Sequence, residues 1–250
     1  MEQLRRLLVG WIGAKVEEAN ALGTVVGLSG GIDSAVVAAL CREALGDRVL
    51  ALILPVNSLP QDAEDARLVA EHLGIRVREV PLEIAYAALV TALPNDLGSD
   101  EGKALALANL KPRLRMLTLY YHANALNYLV VGTGNRSELA MGYFTKFGDG
   151  AADILPLGGL VKHQVRELAR HLGVPQSIID KPPSAGLRAG QTDEGEMGLT
   201  YAQIDGYLLS GQADPAVAQL LISRQRQSEH KRSPAPIAPV DDLLDLAEKA

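Results

Sequence analysis

The sequence predicts an α/β fold: a doubly wound, mostly parallel sheet with helices on both faces. Two observations carry that expectation. Four short apolar or β-branched runs, at residues 24–28, 49–54, 76–80 and 129–131, alternate with stretches of helical periodicity, as βαβ units do. The chain has 250 residues, of which 48% are apolar and 22% charged, enough for one substantial core, so residues 1–250 are expected to form a single domain.

The elements follow in order. Leu4, Leu7, Leu8, Trp11 and Ile12 recur at three- and four-residue spacing, so residues 2–21 read as an amphipathic helix ended by Gly23. The first strand runs through Ser29, Gly30 and Gly31 into a helix with Val36, Val37, Leu40, Cys41 and Ala44 on its inner stripe. The second strand leads through a loop at 55–60 to a helix with Ala66, Val69, Ala70 and Leu73 inside and Gly74 as its stop. After the third strand a long helical region reaches Tyr128. Beyond the fourth, Val161, Val165, Leu168, Ala169 and Leu172 mark another helix, closed by Gly173 and Pro175. From 181 to 198 the periodicity disappears among prolines and glycines, and a mobile lid is expected at 184–196. The tail, 233–250, carries three prolines by position 239 and cannot be helical throughout.

Charge and composition exclude several classes. A net charge of −6 argues against a nonspecific nucleic-acid binder, and no apolar run approaches the ~18–20 residues that span a bilayer. Residues 1–6 carry both signs of charge with no cleavable apolar stretch behind them, so the default setting is cytoplasmic. The single cysteine, Cys41, can form neither an internal disulfide nor a cysteine-rich metal site, and the 5 histidines are scattered. The basic group Arg224, Arg226, His230, Lys231 and Arg232 reads by composition alone as a solvated helix end.

In a parallel sheet the ligand lies beyond the carboxyl ends of the strands, which directs attention to the loop from Leu28 to Ser34. A strand that turns through two glycines into a helix N-terminus presents free N–H groups and the positive end of a dipole to a phosphate. The loop has neither a Gly-Lys-Ser/Thr ending nor a third dinucleotide-type glycine. The plainer alternative is a tight turn with Asp33 or Ser34 capping the helix. A helix end supplies only about half a unit charge, so a triphosphate here calls for a divalent cation, with Asp33 as one ligand and a carboxylate from another strand end as the second.

Ser29-Gly30-Gly31-Ile32-Asp33-Ser34 resembles the signature of the ATP pyrophosphatases, which cleave ATP to AMP and pyrophosphate. Within that group, Val131-Gly132-Thr133-Gly134-Asn135-Arg136-Ser137-Glu138, the run from Gly142 to Gly150 and Asp153-Ile154-Leu155-Pro156-Leu157 are similar to the ammonia-dependent NAD synthetases. Asn109 to Met116, Pro183-Ser184-Ala185-Gly186-Leu187, Gln191 to Glu194 and Glu229 to Arg232 extend the match over most of the chain. The resemblance implies a Rossmann-like fold and ATP-dependent amidation of deamido-NAD by ammonia, through an acyl adenylate, to give NAD, AMP and pyrophosphate. It assigns Gly27, Leu28, Ser29, Gly30, Gly31, Ile32, Asp33 and Ser34 to the ATP phosphates, with Thr133, Lys162 and Ser184 also on ATP. Asp33 and Glu138 match magnesium ligands; Arg113, Lys146, Asp153, His230 and Lys231 match positions that hold deamido-NAD. Ser184 keeps the hydroxyl where relatives have threonine, and Arg188 stands where an aromatic residue is expected. A homodimer is implied, with the first helix and the helix across 113–128 as candidate contact surfaces.

Each assignment has a simpler competitor. Glu138 is placed to act as a helix-entry carboxylate. Lys162 falls in a first helical turn, where a cation opposes the dipole, and a bound phosphate would account for it. Arg113 and Arg115 lie two apart, so one is expected at the site and the other in solvent. Cys41, on an inner stripe, reads as core filler. Asp149 is the candidate acceptor of ammonium, and with Lys162 completes the expected catalytic pair. Two alternatives stay open: another ATP-pyrophosphatase amidase, or a nucleotide-binding protein of this fold without catalysis. Because the chain is too short for an added amidase domain, free ammonia is the expected nitrogen donor.

Overall fold

The first strand meets the helix after the glycine loop as expected, and the rest of the chain is arranged around that junction. The structure, a computed structural model, describes residues 1–94, 96, 98–184, 186 and 192–240. Arg188 and most of the central part of the expected lid, 185 and 187–191, lie outside the described residues, as do tail residues 241–250. The elements are α1 (Glu2–Glu18), β1 (Gly23–Gly27), α2 (Ile32–Leu45), β2 (Val49–Ile53), α3 (Pro60–Leu73), β3 (Arg76–Glu79), α4 (Glu83–Ala92), α5 (Asp100–Leu126) and β4 (Tyr128–Val131). They continue with α6 (Arg136–Met141), α7 (Lys162–His171), α8 (Gln176–Ile179), α9 (Asp193–Met197), α10 (Tyr201–Ser210), α11 (Pro215–Gln227) and α12 (Glu229–Arg232).

The four strands are all parallel, in the order β3-β2-β1-β4. Val25 pairs with Leu50 on one side and Val130 on the other, and a single bridge from Val131 to Ile154 extends the β4 edge. Alternate residues face opposite ways. Val26, Ala51, Ile53 and Val131 join α1, α2, α3 and α7 in one core, whereas Val25, Leu50, Leu52 and Val130 pack with α5 in another. A third cluster, Met141, Met197, Leu199, Tyr201, Ile204 and Leu221, ties α6 to α9, α10 and α11. The chain runs from β1 out to β3 and then returns to place β4 on the other side of β1. The switch point, and so the crevice, lies at the carboxyl ends of β1 and β4.

Three expectations need correction. The first helix stops at Glu18, and Leu7 and Trp11 face outward, because the stripe that meets α2 is Ile12 and Val16 with Leu4, Leu8 and Val9. The long helical region divides into α4 and α5: Leu93 takes extended backbone ahead of Pro94, which disfavours the helical conformation in the residue before it. β3, read from the sequence as one of four apolar strands under helices on both faces, is an edge strand with all four residues exposed, and its Arg76, Arg78 and Glu79 suit that edge. Residues 233–239 are non-helical, as their prolines require. Among the described residues no helix is long and apolar enough to cross a membrane.

Candidate active site

The glycine loop closes on itself through short polar side chains. Ser34 Oγ accepts the Ser29 N–H at 3.2 Å and donates to Gly31 O at 2.9 Å, while Ser29 Oγ accepts the Gly31 N–H at 3.2 Å. Gly30 has φ +78°, and a Cβ there would lie 2.4 Å from Asp62 O, so only glycine fits. Neither Asp33 nor Ser34 caps α2. Its N-cap is Gly31 and no side chain caps it, so the positive end of the helix faces the crevice. Leu28 and Ile32 are buried and anchor the loop to the core.

Asp33 lies in the first turn of α2, and its two oxygens have different partners. Oδ1 accepts from Asn135 Nδ2 at 2.9 Å, and Oδ2 accepts from Lys162 Nζ at 2.5 Å. Glu138 reaches the same ammonium from α6, with Oε1 at 3.4 Å. Its other oxygen closes a capping box: Glu138 Oε2 accepts the Asn135 N–H at 3.1 Å, and Asn135 Oδ1 accepts the Glu138 N–H at 3.0 Å. Glu138 is therefore both a helix-entry carboxylate and a site carboxylate. Burial, then the charge of Asp33, pushes its pKa up to about 8. Lys162, 1% exposed, would lose affinity for its proton through burial, but Asp33 and Glu138 more than compensate and raise its pKa above the ordinary value. The position of a cation at the start of α7 is thus explained by two carboxylates in the protein itself.

Tyr201 and Asp193 complete this cluster, and neither has an assigned role in the sequence reading. Tyr201 OH donates to Asp193 Oδ2 at 2.8 Å and lies 3.4 Å from Glu138 Oε1; the Lys162 ammonium sits 5.0 Å from its ring centroid. Burial raises the pKa of both Asp193 and Tyr201. Two carboxyl groups thus meet one ammonium, and a third, on Asp193, stands behind Tyr201. Hard oxygen donors in this arrangement fit magnesium, which binds through one or two carboxylates and fills its remaining positions with water and substrate phosphates. Among the described residues no group of three or more His, Cys, Asp or Glu side chains is placed to hold a metal ion by itself.

A second group surrounds the far end of α6, about 9 Å along a six-residue helix. Lys146 Nζ donates to His230 O, and Arg113 Nη2 donates to Lys146 O at 3.4 Å. Lys231 Nζ donates to Gly142 O at 2.8 Å and Phe144 O at 2.9 Å. Asp149 accepts the Thr145 N–H at 2.9 Å. Desolvation by the surrounding protein raises the pKa of Asp149, and backbone N–H donors, that of Thr145 first, oppose the shift. Asp153 does structural work: Oδ2 accepts the Val130 N–H at the β4 edge at 2.7 Å, and Oδ1 accepts from Tyr120 OH at 3.2 Å. Thr133 is half-buried on the β4–α6 loop, and Ser184 Oγ, exposed, accepts the Gly186 N–H at 3.2 Å.

Two residues read from sequence as solvated, Arg115 and Arg232, and one without a reading, Lys181, are engaged. Arg115 donates to Leu54 O and Ser58 Oγ, both at 3.0 Å, so it pins the loop after β2 while Arg113 serves the second group. Arg232 donates to Leu139 O at 2.8 Å and, with Lys231, docks α12 on α6. Lys181, just before the expected lid, pairs with Asp62 at 2.9 Å and Asp65 at 2.5 Å on α3, beside Gly30. Asn135 carried a legible signal, since Asn-x-x-Glu spells a capping box. The tertiary partners of Arg115, Lys181 and Arg232 carried none.

Fold and site together define an α/β protein in which a glycine loop and two facing carboxylates share the switch-point crevice. The NAD synthase family model matches residues 4–235, and the chain belongs to that family. The NH(3)-dependent NAD(+) synthetase of Carboxydothermus hydrogenoformans is 54% identical over 92% of this chain and 95% of its own. Among solved structures, NMN synthetase from Francisella tularensis superposes with a TM-score of 0.89 at 42% identity, covering 95% of this chain and 98% of that one. NH3-dependent NAD synthetase from Campylobacter jejuni does so with a TM-score of 0.77 at 31% identity, covering 94% and 97%.

Proposed function

We propose that this chain amidates deamido-NAD with ammonia and ATP, yielding NAD, AMP and pyrophosphate. The observation that carries the reading is the convergence of Asp33, Glu138 and Lys162 beside the uncapped start of α2. A carboxylate is a poor acceptor for an amine, so it must first be activated. One nicotinate oxygen attacks the α-phosphorus of ATP, the bond to the bridging oxygen breaks, and pyrophosphate leaves. Ammonia then attacks the acyl carbon, the bond to AMP breaks, and the surplus proton passes to Asp149 or to water.

The protein contributes position and charge. Residues Gly27 to Ser34 cradle the phosphates, with the Thr133 and Ser184 hydroxyls beside them. Lys162 faces the departing pyrophosphate. Asp33 and Glu138 would hold a magnesium ion, which when bound neutralises phosphate charge. Arg113, Lys146, His230 and Lys231 compensate the dinucleotide, and Asp153 supports its cradle through β4. The reading includes a cytoplasmic setting, where ATP is at hand, and a homodimer joined through the outward faces of α1 and α5, where Leu7 is 63%, Leu117 60% and Tyr121 70% exposed.

A second reading places the same chemistry on nicotinate mononucleotide, favoured by the high structural similarity to a protein named NMN synthetase. Both acids present the same reacting carboxylate, and they differ in the adenylyl half. Parallel assays with ATP, magnesium and ammonia separate them. The first reading expects kcat/KM to be higher for deamido-NAD; a higher value for the mononucleotide would replace it with the second, and turnover of neither would reject both.

A further inference from the structure

Asp205, on α10, has no place in the reaction as written, yet it is 5% exposed and both of its oxygens are engaged. Oδ1 accepts from Ser137 Oγ at 2.5 Å and Oδ2 accepts the His163 N–H at 2.8 Å. Ser137 Oγ in turn accepts the Lys162 N–H at 3.1 Å. α7 needs these acceptors, because Val161 at its N-cap offers no capping side chain and the first N–H groups of a helix have no partners within it. A carboxylate also suits the positive end of that helix.

The two helix starts joined in this way carry the two groups that face each other across the site. Ser137 is the neighbour of Glu138 on α6, and Lys162 is the first residue of α7. Arg136 strengthens the attachment by donating to Leu208 O at 2.9 Å. Tyr201 and Asp205 are four apart on α10 and so share a face, and Tyr201 itself reaches Glu138 and the Lys162 ammonium. α10 therefore acts as a rail against which both helix starts are registered.

We propose that Asp205 is a positioning residue: through Ser137 and the first turn of α7 it sets the separation of Glu138 and Lys162. The inference rests on the reading that these two act on ATP and its magnesium. A group that merely stabilised the fold would change the melting temperature and spare the site's geometry. A positioning group changes magnesium dependence and kcat at temperatures where the protein is fully folded.

The test uses the full chain as wild type, Asp205→Asn, Asp205→Ala, Ser137→Ala and the Ser137→Ala/Asp205→Asn double variant. Asparagine fills the same space but can accept only one of the two bonds, so it serves if the alanine variant does not fold. Amide exchange at residues 162 and 163 is expected to accelerate about tenfold or more in Asp205→Asn, with α2 amides unchanged. kcat for pyrophosphate release is expected to fall by about 10–100-fold and the magnesium needed for half-maximal rate to rise. The double variant is expected to lose less than the product of the two single losses, because Asp205 acts on the Lys162 N–H through Ser137. Unchanged exchange at 162 and 163, unchanged magnesium dependence, or a loss of protection spread equally over α2 and α7 would overturn the proposal. A wild type that releases no pyrophosphate defeats the functional reading instead, and the exchange result still decides whether Asp205 holds α7.

Discussion

Asp33 and Glu138 differ in what a neutral replacement removes. Glutamine at 138 can still close the capping box with Asn135, so Glu138→Gln takes away the ability to ionise and offer a charged oxygen to a metal, and little else. Asp33→Asn and Glu138→Gln are each predicted to lower the rate of pyrophosphate release by about 10²–10³-fold while the protein stays folded by circular dichroism; near-wild-type release from both would remove the metal assignment. Lys162 is the reverse case. Without it the half-buried Asp33 and Glu138 lose their shared donor, so Lys162→Met should cost about 1–3 kcal/mol in urea unfolding as well as activity. Cys41 is buried and its thiol is pushed up to about 12 by burial, so iodoacetamide at pH 8 should label it only after unfolding. At this scale the sequence was legible where the signal is local. The glycine loop, its aspartate and the Asn-x-x-Glu box can be read as text. The anomaly of a lysine in a first helical turn was visible too, but its cause was not, because Asp33 is 129 residues away. Arg115, Lys181 and Arg232 were misread or passed over for the same reason: a charged side chain does not announce a distant carbonyl or carboxylate.

α2 joins the loop to the core, with Val36, Val37, Leu40 and Cys41 all fully buried against the sheet and α1. Leu40→Ala leaves a cavity there and should destabilise the protein by about 2–5 kcal/mol, read as a lower denaturation midpoint; a change below the scatter of the measurement would show that the helix does not depend on this contact. Strand positions were legible to within a residue or two because β-branched runs between helical patterns have few other solutions. Strand burial was less so: the order β3-β2-β1-β4 makes β3 an edge, and the edge position depends on how the whole sheet is assembled. The break between α4 and α5 could have been read from Pro94. The rail formed by α10 could not, since its role lies in the Ser137 and His163 contacts made across the fold.

At the scale of the whole molecule, the outward apolar residues of α1 and α5 exceed what the core uses, and light scattering at micromolar concentration should give twice the chain mass; the mass of one chain would contradict the homodimer. Free ammonia should support turnover and glutamine alone should not, because the sole cysteine, a buried and neutral thiol, cannot serve as an amidase nucleophile. Glutamine-driven NAD formation by the purified chain, with ammonia removed enzymatically, would contradict this. The central claim is that the acid is activated by transfer of AMP to its carboxylate, and oxygen labelling tests that most directly. Deamido-NAD carrying ¹⁸O in its nicotinate carboxylate is incubated with ATP, magnesium and ammonia, and the products are examined by mass spectrometry. Attack of that carboxylate on the α-phosphorus predicts one labelled oxygen in AMP and none in pyrophosphate. Unlabelled AMP, or ADP with the label in inorganic phosphate, would contradict the account.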